Sequence, residues 1–147
     1  MYRNSLFDNP IAIFIFVVFA SVVNTLMSVH FISIFFVGVL FLAFIRSLDK
    51  GYYYTLFFIV MGFCMIEIAH GFRLFNLSLL SFFLYFFIVP FLKSILSSVN
   101  FYFVSLILVF YMGFALLLSI FGGIDSELIS ILIMNYIIDI ILVSIIL

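Results

Sequence analysis

The sequence predicts an all-α fold: a polytopic integral membrane protein in which residues 1–147 form one transmembrane domain, a six-transmembrane-helix bundle. Three observations predict it. Hydrophobic residues make up 69% of the chain and charged residues 7%, against about 45–50% and about 25% in soluble globular proteins. Five basic and six acidic residues could not clothe so apolar a core in water, so the lipid bilayer must be the solvent. The apolar residues also fall in unbroken runs, not in the alternating pattern of a transmembrane barrel. Runs of this length close their backbone hydrogen bonds internally, as helices.

Residues 1–9 are a short polar start with Arg3 and Asp8. Residues 10–44 form an uncharged run of 35 residues. As one helix it would extend about 52 Å, against a hydrocarbon core of about 30 Å, so it is divided into two spans, 11–28 and 31–45. The division falls among its only clustered polar residues, Asn24, Thr25, Ser28, His30 and Ser33. A loop at 45–51 (IRSLDKG) leads to a third span at 52–68, opened by Tyr52, Tyr53 and Tyr54 as an interfacial aromatic belt. A short connection at 69–76 leads to a fourth span at 77–92, where Pro90 marks a kink or terminus. A loop at 93–100, a fifth span at 101–121, a loop at 122–127 and a sixth span at 128–147 complete the chain. Gly38, Gly62 and Gly113 lie inside spans, where small residues let helices approach closely. Val18-Phe19-Ala20 loosely meets the signal-cleavage rule, but the apolar run continues well past it, so an uncleaved first helix is expected.

Basic residues orient the bundle. With six spans, Arg3, Arg46, Lys50 and Lys93 share one side and Arg73 stands on the other, which puts both termini in the cytoplasm. Composition also removes function classes. A net charge of −1 without a basic tract argues against nucleic-acid binding. The single cysteine, Cys64, excludes an internal disulfide and a cysteine-based metal site, and reads as a buried, inert thiol. There is no G-x-S-x-G elbow and no glycine-rich phosphate loop. An enzyme is therefore not expected, nor is a cofactor or a metal.

The candidate residues are the ionisable ones at membrane depth, since a stranded charge there costs several kcal/mol. Asp139 is the twelfth residue of the last run, about 17 Å from its start and near the midplane. It reads as a proton- or ion-coupling site or subunit contact, or else as a structural carboxyl with Asn135 one turn earlier on the same face. Glu67 ends the third span, and the i,i+3 spacing puts His70 on its face. Gly71 breaks the helix beyond them, and Arg73 follows. Glu67, His70, Arg73 and His30 can meet at one outer interface. A metal site there is disfavoured, because Glu-x-x-His occurs once and bundle di-metal sites use two; a salt-bridged loop or partner contact is expected.

The stretch MGFCMIEIAHGFRLFNLSLLSFFLY, with Met61, Gly62, Glu67, Gly71, Ser78 and Tyr85, resembles the core of the rod-shape-determining MreD family. In that family a glycine-bearing third helix ends in an acidic residue, a glycine follows, and the next helix carries small residues and a tyrosine. The short second segment, the basic loop after it and Asn135 in the last helix fit as well; Glu67 stands where the family usually has Asp. The resemblance implies a non-enzymatic component of the bacterial inner membrane, a scaffold in the cell-shape and peptidoglycan elongation machinery. Its implied partners are an MreC-like protein and other elongation-complex proteins. Glu67, His70 and Arg73 would then shape a contact at the outer end, and Asp139 a helix or subunit contact. Homo- or hetero-oligomerisation stays open. The alternative follows from the likeness of that fold to the substrate-binding membrane components of energy-coupling-factor transporters, which take a vitamin or metal ion. That reading needs an outward cavity with convergent polar groups.

Overall fold

The computed structural model describes residues 9–28, 36–96, 99–121 and 126–146. They form six helices: α1 (Pro10–Ser28), α2 (Val37–Lys50), α3 (Tyr53–Ala69), α4 (Asn76–Ile95), α5 (Val99–Phe121) and α6 (Ser126–Ile146). There is no strand among the described residues. Four helices are long and apolar enough to cross a membrane, over Pro10–Ser28, Asn76–Ile95, Phe101–Ile120 and Ser126–Ile145. The other two are shorter, 14 residues in α2 and 17 in α3.

Local chemistry sets the helix ends. The side chain of Asn9 accepts the Ile11 N–H at 3.0 Å, and Pro10 follows at the first helical position, where its missing N–H costs nothing. The polar residues near the end of α1 return their hydrogen bonds to the same helix. Asn24 Nδ2 donates to the Ala20 carbonyl, Thr25 Oγ1 to Ser21 and Ser28 Oγ to Thr25, each at 2.8 Å. Back-bonding lets such residues stay helical in an apolar setting, so α1 persists to Ser28. The expected turn beyond it, with His30 and Ser33, lies outside the described residues.

The second and third helices end alike. Gly51 (φ 71°) and Gly71 (φ 69°) are left-handed. Tyr52 N–H bonds the Ser47 carbonyl at 2.9 Å, and Phe72 N–H bonds the Glu67 carbonyl at 2.8 Å. This is the glycine-closed helix end that uses up orphan carbonyls. It corrects the expected loop at 45–51: Ile45–Lys50 are helical, and α2 (Val37–Lys50) continues past the expected end at 45; the expected start of that span at 31 lies outside the described residues. Two contacts keep these polar residues in the helix. Ser47 Oγ donates to the Ala43 carbonyl at 2.7 Å, and Asp49 accepts from Lys93 Nζ at 2.9 Å and from Tyr85 Oη at 3.1 Å. The expected loop at 93–100 shrinks likewise, because α4 passes Pro90 and continues to Ile95, and α5 starts at Val99. Pro90 therefore does not end the helix. Ser126 and Glu127, expected in a loop, open α6, where an acid suits the positive end of the helix.

The Asp49–Lys93 pair ties the carboxyl ends of α2 and α4, but both side chains are exposed, at 38% and 48%. Exposed pairs contribute little. Lys93→Ala is expected to lower stability by less than about 1 kcal/mol, measured as a shift in the unfolding midpoint of the purified protein in mixed micelles.

The packing follows from α2. Val37–Ile45 are all buried, although the helix is the shortest of the six. It packs against α3, α4, α5 and α6, while α1 lies against α3. Phe41 stacks on Phe110 with centroids 4.5 Å apart, and Phe44 meets Phe82 edge-on at 4.9 Å. The three span glycines mark close approaches. A Cβ on Gly62 would fall 2.8 Å from Val17 of α1, and one on Gly113 2.9 Å from Leu80 of α4. The outer faces stay apolar, with Phe14, Phe87, Leu116 and Ile133 exposed, as lipid contact requires. Cys64 is half-buried, not buried as expected.

Candidate functional site

A helix leaves its first four N–H groups without internal partners. In water that is cheap; at membrane depth each orphan costs several kcal/mol. The usual remedy is a Ser, Thr, Asp or Asn at the cap. Neither α2 nor α4 has one. The residue before α2 is Phe36 (φ 65°, ψ 9°), and the residue before α4 is Phe75 (φ 69°, ψ 3°); neither makes a side-chain cap bond.

In both cases a carboxyl group from another helix takes the role. Asp139, in α6, is fully buried. Its Oδ2 accepts the Gly38 N–H at 2.7 Å and the Tyr111 hydroxyl of α5 at 2.6 Å. Glu67, in the last turn of α3, is also fully buried. Its Oε2 accepts the Phe75 N–H and its Oε1 the Leu77 N–H, both at 2.6 Å. The two intramembrane acids therefore share one geometry: each lies against the amino end of a neighbouring helix, where a negative charge is favoured by the helix dipole and by charge-assisted hydrogen bonds.

The space for the first contact depends on Gly38. A Cβ there would fall 2.6 Å from Asp139 Oδ2, 2.9 Å from Ile107 Cγ2 and 3.2 Å from the Tyr111 ring. Gly71 permits the second contact differently. Its left-handed turn ends α3 two residues past Ala69, so that α4 can start beside the α3 end that carries Glu67.

At the 67–73 end, Glu67 and His70 turn to different partners. The residue closing α3, His70, has left helical geometry (φ −101°, ψ 3°). Its Nδ1 lies 2.9 Å from the Ile66 carbonyl, and its ring stacks on Phe72. Glu67 turns instead to α4, and no hydrogen bond joins the two side chains despite the i,i+3 spacing. Arg73 is exposed in the intervening turn, and His30 lies outside the described residues. Asn135 is buried on the face of Asp139, yet the carboxyl bonds Gly38 and Tyr111 rather than Asn135. Among the described residues no group of three or more His, Cys, Asp or Glu could hold a metal ion.

A cavity of about 300 Å³ opens between α5 and α6, with Tyr111, Met112, Leu132 and Tyr136 among its walls. Its lining is apolar apart from the tyrosines, so it does not match the convergent polar cavity of a vitamin- or ion-capturing protein.

Three participants escaped the sequence reading: Phe36, Phe75 and Tyr111. Phe36 and Phe75 are two of 24 phenylalanines in the chain, and their left-handed backbone has no sequence signal. Tyr111 lies 28 residues from Asp139, in a different helix.

No known protein family, curated protein or solved structure matches this chain.

Proposed function

We propose that this chain is a non-enzymatic, MreD-like scaffold of the bacterial inner membrane that serves the cell-shape and peptidoglycan elongation machinery, with six spans and both termini in the cytoplasm. The observation that carries the reading is what the MreD-like positions do. Gly62 seats α3 against Val17 of α1, Glu67 holds the amino end of α4, and Gly71 turns the chain between them. These positions set the shape of a helical joint and present no reactive group. A joint of this kind suits a protein that acts by offering a defined surface to partners.

The turn at that joint presents Arg73, Leu74 and Phe75, with Leu74 and Phe75 each more than half exposed. A cation beside exposed apolar side chains suits a protein partner near the headgroup level, and an MreC-like single-pass protein is the partner proposed.

The test is affinity purification of the tagged full chain from its native membranes in mild detergent, with mass spectrometry of what accompanies it. Recovery of an MreC-like protein with peptidoglycan elongation proteins is expected. Recovery instead of an ATPase pair with a long transmembrane coupling subunit would overturn the scaffold reading in favour of a transporter component.

A further inference from the structure

The carboxyl group of Asp139 is held by one oxygen only. Oδ2 takes both the Gly38 N–H and the Tyr111 hydroxyl. Oδ1 is buried and has no hydrogen-bond partner among the described residues. One turn earlier on the same face, Asn135 is 1% exposed, and neither its Oδ1 nor its Nδ2 has a partner among the described residues. Three orphan polar atoms thus lie within one turn of α6, beside the amino end of α2. Groups of this kind are expensive at membrane depth and mark function more often than stability.

Their chemistry narrows what they bind. A metal cation is disfavoured, because α2 directs N–H groups and the positive end of its dipole at this point. An anion is disfavoured by the carboxylate. A proton fits. The two donors on Oδ2 keep their bonds in either state, since the carbonyl oxygen of a neutral carboxyl still accepts. Oδ1 is then the atom left to gain or lose hydrogen. A primary amide one turn away carries a donor that suits the ionised oxygen and, after a half-turn, an acceptor that suits the O–H, and neither group is engaged elsewhere among the described residues.

No described basic residue holds Asp139 ionised. On α2, the packed helix that carries Gly38, the nearest charged side chain is Arg46, eight residues further on and about 12 Å along the axis. From α5 the titratable group at the site is Tyr111, and on α6 it is Tyr136, whose ring lies 6.1 Å from that of Tyr111.

We propose that Asp139 Oδ1 is a reversible intramembrane proton-binding site at the amino end of α2, with the unengaged Asn135 amide one turn away as the acceptor of the new O–H. A proton from bulk water bonds to Oδ1 and cancels the carboxylate charge, and the new O–H donates to the Asn135 amide oxygen. The bonds from Gly38 and Tyr111 persist but lose their charge assistance, which is about half their strength. Protonation therefore loosens the seat of α2 without dismantling it. The site goes beyond the scaffold reading and does not depend on it.

The test is infrared difference spectroscopy of the full chain in dodecyl maltoside, a detergent without carbonyl groups, between acidic and alkaline pH. A carboxylic C=O band that appears reversibly on acidification is expected. It should move when the protein is labelled with carboxyl-carbon-13 aspartate, which requires no substitution. It should be lost in Asp139→Asn, and in Asn135→Leu it should shift to higher frequency as its hydrogen bond is removed. The label marks all four aspartates, so the assignment rests on the variant: a labelled-band difference spectrum unchanged by Asp139→Asn would overturn the site. A band indifferent to Asn135→Leu would overturn the role of the amide.

Discussion

Gly38→Val is expected to destabilise the bundle by about 3 kcal/mol or more. The side chain would enter space already occupied, since a Cβ alone falls 2.6 Å from Asp139 Oδ2 and 2.9 Å from Ile107. Overpacking a filled core costs about 1–3 kcal/mol. Pushing Asp139 away also orphans the Gly38 N–H and the Tyr111 hydroxyl, at about 1–3 kcal/mol for each buried group left unpaired. The expected result is a large drop in the denaturant midpoint of the purified protein in mixed micelles. Gly51→Ala is the control. Its φ is 71° but no atom lies within 4 Å of its would-be Cβ, so it carries only the left-handed backbone cost of about 1–2 kcal/mol. If the two variants unfold at the same midpoint, steric closure at Gly38 is not what holds α2.

Glu67→Leu should have the next largest effect, about 2–4 kcal/mol from two backbone donors that lose a charged acceptor. Those donors are the Phe75 and Leu77 N–H groups, each 2.6 Å from the carboxylate. Glu67→Gln separates charge from shape. Its single carbonyl oxygen can accept from one of the donors, while its NH₂ faces the other donor. The expected order of stability is wild type, then glutamine, then leucine, in the same unfolding assay. A glutamine variant as stable as wild type would show that the charge contributes nothing. A leucine variant as stable as wild type would show that the amino end of α4 does not need this cap.

Both variants probe features that differ in how readable they were. Membrane depth and type identified Glu67 and Asp139 as exceptional, because an acid within an apolar run has to be compensated. Glycine chemistry marked Gly71 as a helix terminator, and it closes α3. The polar string at 45–51 reads as a loop by its charge, but 45–50 are helical. Ser47 and Asp49 stay helical through a back-bond to Ala43 and a tie to Lys93 on α4. The first of these contacts is local and leaves no compositional trace, and the second spans 44 residues.

The sequence by itself determined that the chain is helical and apolar on its outside, since runs of this composition can meet the backbone's hydrogen-bonding demand in lipid only as helices. It also determined which acids had to be accommodated and that a glycine at position 71 closes the third helix. Tertiary structure decided who accommodates the acids. The partner of Asp139 is a backbone N–H 101 residues away, and the cap of α4 comes from the preceding helix across a turn. It also decided that the shortest helix, α2, stands at the centre with its first nine residues all buried. Hydropathy measures how much a segment avoids water. It does not record whether lipid or other helices do the covering, nor which polar atom meets which across the bundle. Those depend on the order in which helices pack, and only the folded chain holds that information.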